Sequence, residues 1–359
     1  MNQSAEIGLD SRWIVGRRFD ASFILLGGLA VSAACILTAR LGVGFLAIAV
    51  GFAVVLDYPH VMQTWVRILM DRDEARIYGR GFLASLAAFA ACAAYLRWQV
   101  GLPFLIMIWL YWQPYHVIKQ HVGIAKIYNG KNGYRGPFVT AQASLILGCA
   151  APILYRMSTA GFAFDRYSLW GRELPFSGLR FPVPPVPHAV VVIAYVFLAG
   201  FLLRTVAEQI SLARRGEPTL PPATIGNLSV AIVSYNVAYL LVPNLYATIL
   251  IASAVHSFQY HALCWGYNHR KAIEPPRSVG TADAASRLLT SLSQRRAIPY
   301  YAAFILSLGI AVSLLDLVAS GLVPLIITLH HFYFDGLIWK SNNNPNLKVG
   351  LGFKGPRPA

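Results

Sequence analysis

The chain predicts an all-α, polytopic membrane bundle of about ten transmembrane helices with both termini on the cytoplasmic side. Three observations carry that expectation. Of 359 residues, 56% are hydrophobic and only 13% charged, more apolar surface than a soluble domain of this length buries. The apolar residues gather in runs near the roughly 20 residues that a bilayer crossing requires. Finally, all but six of the 30 Lys and Arg residues fall in alternate connections between those runs.

Taken in order, the polar stretch Met1 to Asp20 lacks the short apolar core and small-residue cleavage site of a secretory signal, so the first run is expected to stay as a helix. Spans follow at 20–39, 41–60, 81–97, 101–121, 138–156, 188–206, 225–242, 245–264, 298–316 and 321–340. They form one integral membrane domain over 1–359. The connection 157–187 contains Phe181-Pro182-Val183-Pro184-Pro185-Val186-Pro187 and reads as an ordered or extended external loop. Connection 265–297 is a polar cytoplasmic loop, with Glu274-Pro275-Pro276 and Arg295-Arg296, that has room for a surface helix. Asn342-Asn343-Asn344-Pro345 ends the last helix. No repeat of fixed period is present, although spans two and four against eight and ten suggest a weak two-half arrangement of the kind membrane proteins use.

A net charge of +15 would suit nucleic acid in a soluble chain, but here position matters more than the sum. The basic residues outside the cytoplasmic segments are Arg40, Arg97, Arg156, Arg166, Arg172 and Arg180. Because Lys and Arg are retained on the cytoplasmic side during insertion, topology and anionic lipid head groups account for the charge. The partner it implies is the bilayer of the cell's inner membrane, and no nucleic acid. Cys35, Cys92, Cys149 and Cys264 lie in or beside separate apolar runs without a C-x-x-C pair, which reads as small buried hydrophobes.

Four even-numbered spans end in polar clusters, so parity puts all four on the cytoplasmic face. They are Asp57-Tyr58-Pro59-His60, Trp112-Gln113-Pro114-Tyr115-His116 running on to Lys119-Gln120-His121, His256-Ser257-Phe258-Gln259-Tyr260-His261, and His330-His331-Phe332-Tyr333-Phe334-Asp335. Polar groups at membrane-helix ends are costly without partners, water or a metal, and mark functional sites. Eight of the nine histidines, the above seven and His269, fall on that side; His188 falls opposite and is left out. Single histidines in such places are usually hydrogen-bonded core groups. Seven gathered by parity argue instead for a metal site, since neutral imidazole is the commonest ligand for iron, zinc and copper.

Spacing refines the ligand set. Asp57 with His60, and His331 with Asp335, sit three and four residues apart, so each carboxylate shares a helix face with its imidazole and can ligate or hold its tautomer. His116 and His121, like His256 and His261, are five apart, which leaves them about 140° apart on an ideal helix. Both could reach one ion only if the helix distorts, for which Pro114 supplies a cause; otherwise they serve two ions. His330 and His331 diverge by about 100° and could likewise be divided between two. Such a donor set is unlike structural zinc or an all-oxygen site. Iron is favoured, with copper and zinc as alternatives.

The H-x4-H pairs and the His-His dipeptide on cytoplasmic helix ends resemble the histidine boxes of the membrane-bound di-iron desaturase, hydroxylase and alkane monooxygenase superfamily. His116 and His121 match its first box. His256 and His261 repeat that spacing where an H-x2-3-H-H box is expected, and His330 and His331 match the last two residues of such a box. The resemblance implies two iron ions that activate oxygen against C–H bonds of a lipidic substrate, with hydroxylation, desaturation or oxidative cleavage as the outcome. It also implies an electron donor such as a ferredoxin, a rubredoxin or a cytochrome.

Neighbouring residues carry secondary expectations. Tyr115 and Tyr260 adjoin the clusters and are candidate catalytic donors of a proton or electron, although interfacial aromatic belts explain many such tyrosines. Gln63, Gln113, Gln120 and Gln259 suit either hydrogen bonds that orient a ligating imidazole or helix–helix contacts. There is no nucleotide-binding glycine loop and no Ser-His-Asp ordering, so a reaction that needs electrons or energy must draw them from a partner. Two other function classes fit parts of the pattern. One is a transporter or a metal or proton channel using the histidines as a path; the other is an electron carrier with histidines as axial ligands of haem.

Overall fold

The computed structural model describes residues 12–40, 45–159, 162–166, 168–169, 172–173, 177–181, 185–242, 244–273, 283–319, 321–340, 344 and 346–353. They form an all-helical protein. Its α-helices are α1 (Arg17–Phe19), α2 (Gly27–Arg40), α3 (Phe45–Phe52), α4 (Tyr58–Met70), α5 (Arg72–Gln99), α6 (Leu102–Lys131), α7 (Val139–Thr159), α8 (His188–Arg214), α9 (Pro222–Asn236), α10 (Leu245–Ile273), α11 (Ala284–Leu292), α12 (Ile298–Ala319), α13 (Leu322–Ile338) and α14 (Asn346–Gly350). π-helical stretches occupy Asp20–Leu26, Ala53–Asp57 and Val237–Leu241. Extended pairing among the described residues amounts to two antiparallel pairs of two-residue strands, β1 (Phe162–Ala163) with β4 (Arg180–Phe181) and β2 (Ser168–Leu169) with β3 (Arg172–Glu173). Both lie in the expected external connection, of which Pro182, Val183 and Pro184 are outside the described residues.

Each expected span falls mainly on helix. Among the described residues, five stretches are long and apolar enough to cross a membrane: Arg17–Leu37, Arg72–Gln99, His188–Arg214, Pro222–Leu241 and Arg295–Leu315. Apart from the half-buried Pro222–Leu241, their apolar side chains stay largely uncovered by protein, as with Leu83 and Trp98 on α5 and Val196, Phe197 and Leu203 on α8. These helices mark a membrane protein. The histidine-bearing helices α6 and α10 are not among the five, because imidazoles, amides and hydroxyls interrupt their apolar surface. In connection 265–297 the expected surface helix is α11, capped by Asp283, whose side chain accepts from the Ser286 amide at 2.8 Å. Glu274, Pro275 and Pro276, and likewise Asn342, Asn343 and Pro345, lie outside the described residues.

The chain divides into two compact units, 1–49 with 114–256 and 50–113 with 257–359. In the first, α7 packs on α8 and α9. Gly148 lets α9 approach so closely that a Cβ there would meet Ile232 at 2.6 Å, and Asn236 donates to the Gly148 carbonyl at 2.9 Å. Gly28 on α2 similarly admits the backbone of Val255 on α10, and Ser32 donates across the same contact to the Ile251 carbonyl at 3.2 Å. The entry to the first membrane stretch is fastened by Asp20. Its buried carboxylate accepts from the amides of Ile14, Val15 and Gly16 and from the Tyr128 hydroxyl at 2.7–3.2 Å.

In the second unit α4 is the centre, packed against α5, α12 and α13. Val61, Val312 and Ile327 fill one side of it, and Ile68, Phe82, Phe334 and Ile338 another. Gly309 on α12 admits Pro59, so that α12 lies directly on the start of α4. The far end of α4 carries the fully buried Arg67. Its guanidinium lies 4.0 Å from the Tyr267 ring centre and 4.1 Å from that of Trp339, donates to the Ile338 carbonyl at 3.3 Å, and faces Glu74 at 3.5 Å. Glu74 accepts in turn from the Tyr267 hydroxyl at 2.6 Å and from Asn344 at 2.9 and 3.0 Å. Burying a charge is costly unless it is paired; here Nη2 makes the hydrogen bonds, and the two aromatic rings offset part of the cost for Nε and Nη1, which have no hydrogen-bond acceptor among the described residues.

Candidate metal centre

One turn-by-turn stripe of α4 brings His60, Gln63, Thr64 and Arg67 to the same buried face. The π-helical Ala53–Asp57 immediately precedes it, and such stretches are frequent at functional sites because the extra residue re-aims the side chains that follow. His60 directs Nδ1 at the Ser257 hydroxyl (3.2 Å) and at Asp57 (3.5 Å), the carboxylate that the three-residue spacing places on its face. An ion taken by His60 would therefore meet Nε2.

His331, on α13, is oriented the same way. Its Nδ1 lies 2.7 Å from the Thr64 hydroxyl, and Thr64 donates to Asp335 Oδ1 at 3.1 Å. Tyr260 donates to that oxygen at 2.5 Å and also lies 2.6 Å from Thr64. With the threonine proton given to the carboxylate, its oxygen accepts from His331, so Nδ1 carries the hydrogen and Nε2 the lone pair. Trp339 completes the chain by donating to the Tyr260 hydroxyl at 3.4 Å.

The two imidazoles lie edge to face with ring centres 5.0 Å apart. A ring nitrogen of His60 is within 4.8 Å of one of His331, and one of His331 is within 4.8 Å of an Asp335 carboxylate oxygen. All three side chains are buried. Two imidazoles and a carboxylate with protein-held outer faces suit a first-row transition metal, and this donor set could hold one.

Other expected ligands go elsewhere. His261 is engaged at both nitrogens: Gln63 donates to Nδ1 at 2.9 Å and Nε2 donates to the Leu56 carbonyl at 3.2 Å. Tyr301 fixes Gln63 by donating to its oxygen at 2.5 Å. His330 turns away from His331 into Phe82, Phe89 and Trp65, and Nε2 meets the Ser85 hydroxyl at 2.9 Å. Of the two tyrosines, Tyr260 is buried at the centre of the network, whereas Tyr115 is 61% exposed, one helical step away from the direction of His116. His269 stacks on Trp265 with ring centres 4.7 Å apart and donates from Nδ1 to the Ser293 carbonyl at 2.8 Å.

In the first unit, α6 runs unbroken through Pro114, so His116 and His121 stay on different faces, as ideal helix geometry requires. His116 meets His256 with ring centres 4.9 Å apart and planes at 82°; Gln120 donates to the His256 carbonyl at 3.2 Å. His121 lies where Asn227 donates to its carbonyl at 2.8 Å. All three imidazoles are buried.

Thr64, Ser257 and Tyr301 are the site residues that sequence spacing missed. Only the heptad-like stripe 60-63-64-67 hinted at Thr64, and no signal in the sequence singled out the others. The fold and these side chains define a helical membrane protein with buried histidine clusters able to hold metal ions. No family model matches the chain, and neither a curated protein nor a solved structure is significantly similar to it.

Proposed function

We propose that the protein is a membrane-bound, metal-dependent oxidoreductase of a lipid-soluble substrate. The observation that carries this reading is the pairing of His60 with His331, both turned by protein hydrogen bonds to offer Nε2, beside the carboxylate of Asp335. His116 with His256 is the corresponding imidazole pair of the other unit, and each pair seeds one ion. Iron in these positions would supply oxygen activation for hydroxylation, desaturation or oxidative cleavage. The chain's own contribution is to fix the imidazole tautomers, to exclude bulk water by burying the donors, and to keep a hydrogen-bonded phenol, Tyr260, next to the carboxylate.

The rest of the reading follows from charge and apolarity. Ten spans cross the cell's inner membrane, both termini and the histidine-bearing helix ends face the cytoplasm, and a ferredoxin, rubredoxin or cytochrome brings electrons. The substrate arrives sideways from the bilayer. Elemental analysis and visible spectroscopy of detergent-purified protein test this, with the His116→Ala, His331→Ala double variant as comparison. Iron near two per chain, no Soret band, and loss of metal in the variant are expected. A wild-type protein that takes up no metal after reconstitution would overturn the proposal in favour of a proton path; a Soret band would turn it toward haem.

A further inference from the structure

Two of the candidate ligands share a feature that their spacing in sequence does not suggest: each imidazole meets a buried hydroxyl from another helix at Nδ1. For His331 it is Thr64, 2.7 Å away and itself bonded to Asp335 at 3.1 Å; for His60 it is Ser257 at 3.2 Å. Thr64 and Ser257 are both fully buried. A hydroxyl both accepts and donates, so it can take the Nδ1 hydrogen and pass its own proton to a carboxylate, as Thr64 does. Valine has nearly the same shape but could make none of these bonds.

We propose that Thr64 and Ser257 are positioning residues that set the tautomer of His331 and His60, so that Nε2 is the atom offered to metal. The inference rests on the metal reading above. Thr64 carries the larger share, because Asp335 and Tyr260 anchor it in a closed set of bonds: Tyr260 to Asp335, Thr64 to Asp335, and His331 to Thr64. Removing its hydroxyl takes away the group 2.7 Å from His331 Nδ1 and so weakens the preference for a hydrogen there over Nε2, the atom the metal needs.

The test uses the full-length protein in detergent with Thr64→Val, Thr64→Ser and Ser257→Ala. Histidine labelled with 15N reports the tautomer in metal-free protein at neutral pH, the His331 signal being assigned by its loss in His331→Gln; Co2+ titration followed by its visible bands reports affinity. In wild type and Thr64→Ser, His331 is expected as the Nδ1–H form. In Thr64→Val it shifts toward Nε2–H and Co2+ affinity falls about 10- to 100-fold, with a smaller loss for Ser257→Ala. Wild-type tautomer or affinity in Thr64→Val overturns the positioning role while leaving the metal reading intact. Failure of the wild type to bind Co2+ overturns both.

Discussion

At the scale of single residues, the strongest consequence concerns the buried Arg67–Glu74 pair. Glu74→Ala leaves a guanidinium in the protein interior with its charge uncompensated, and about 3–5 kcal/mol of stability should be lost. The double variant Arg67→Met, Glu74→Leu should lose less than either single change, because it removes the charge along with its partner; denaturant unfolding in detergent measures all three. His269 gives a pH prediction. Burial is the main cause that lowers its pKa, aided by the charges of Arg270 and Arg295 and opposed by its bond to the Ser293 carbonyl. The unfolded chain therefore binds more protons than the folded one below about pH 6.5. Its stabilising contribution is full above that pH and declines as pH falls toward the folded pKa. His269→Phe keeps the stack on Trp265 without titrating, so its melting temperature should fall less than that of the wild type between pH 7 and pH 5. Residue spacing made part of this scale legible. Asp57 with His60 and His331 with Asp335 face each other as three- and four-residue spacings on a helix require. The destinations of His261 and His330 were not, because their partners Gln63 and Ser85 lie 198 and 245 residues away in sequence.

At the scale of helices, two glycines of the second unit offer a controlled contrast. A side chain at Gly309 would collide with Pro59 and the Val54 carbonyl, whereas a Cβ at Gly51 meets nothing within 4 Å. Gly309→Val should cost about 1–3 kcal/mol by forcing α12 off α4, and Gly51→Ala should be neutral or gain up to about 1 kcal/mol of helix propensity. Thermal unfolding of the two variants beside wild type decides it. Helix positions were readable from the apolar runs, but that α6 continues as one helix through Pro114 was not, since a proline there argued for a distortion. The π-helical turn before His60 was not readable, since one extra residue per turn leaves no trace in composition.

At the scale of the molecule, the basic residues predict that both ends of the chain face the cytoplasm. A reporter active only outside the cytoplasm, fused after Ala359, should stay silent, and the same reporter inserted in connection 157–187 should be active. Apolar content made the membrane class legible. The two units were not, because each is assembled from separated stretches of chain, and nothing in local pattern records which distant stretches meet.

That interleaving also sets a clock. Thr64 and Asp335 are separated by 271 residues, and at about 5–20 residues per second of synthesis the carboxylate follows the hydroxyl by roughly 14 to 54 seconds. During that interval the segment carrying His60, Gln63 and Thr64 gains its distant partners one after another, Ser257 and His261 first, then Tyr301, and Asp335 last. On the proposed reading, an ion shared by His60 and His331 could be held only after nearly the whole chain has been made, and a ribosome stalled before α13 should yield a chain unable to hold that ion.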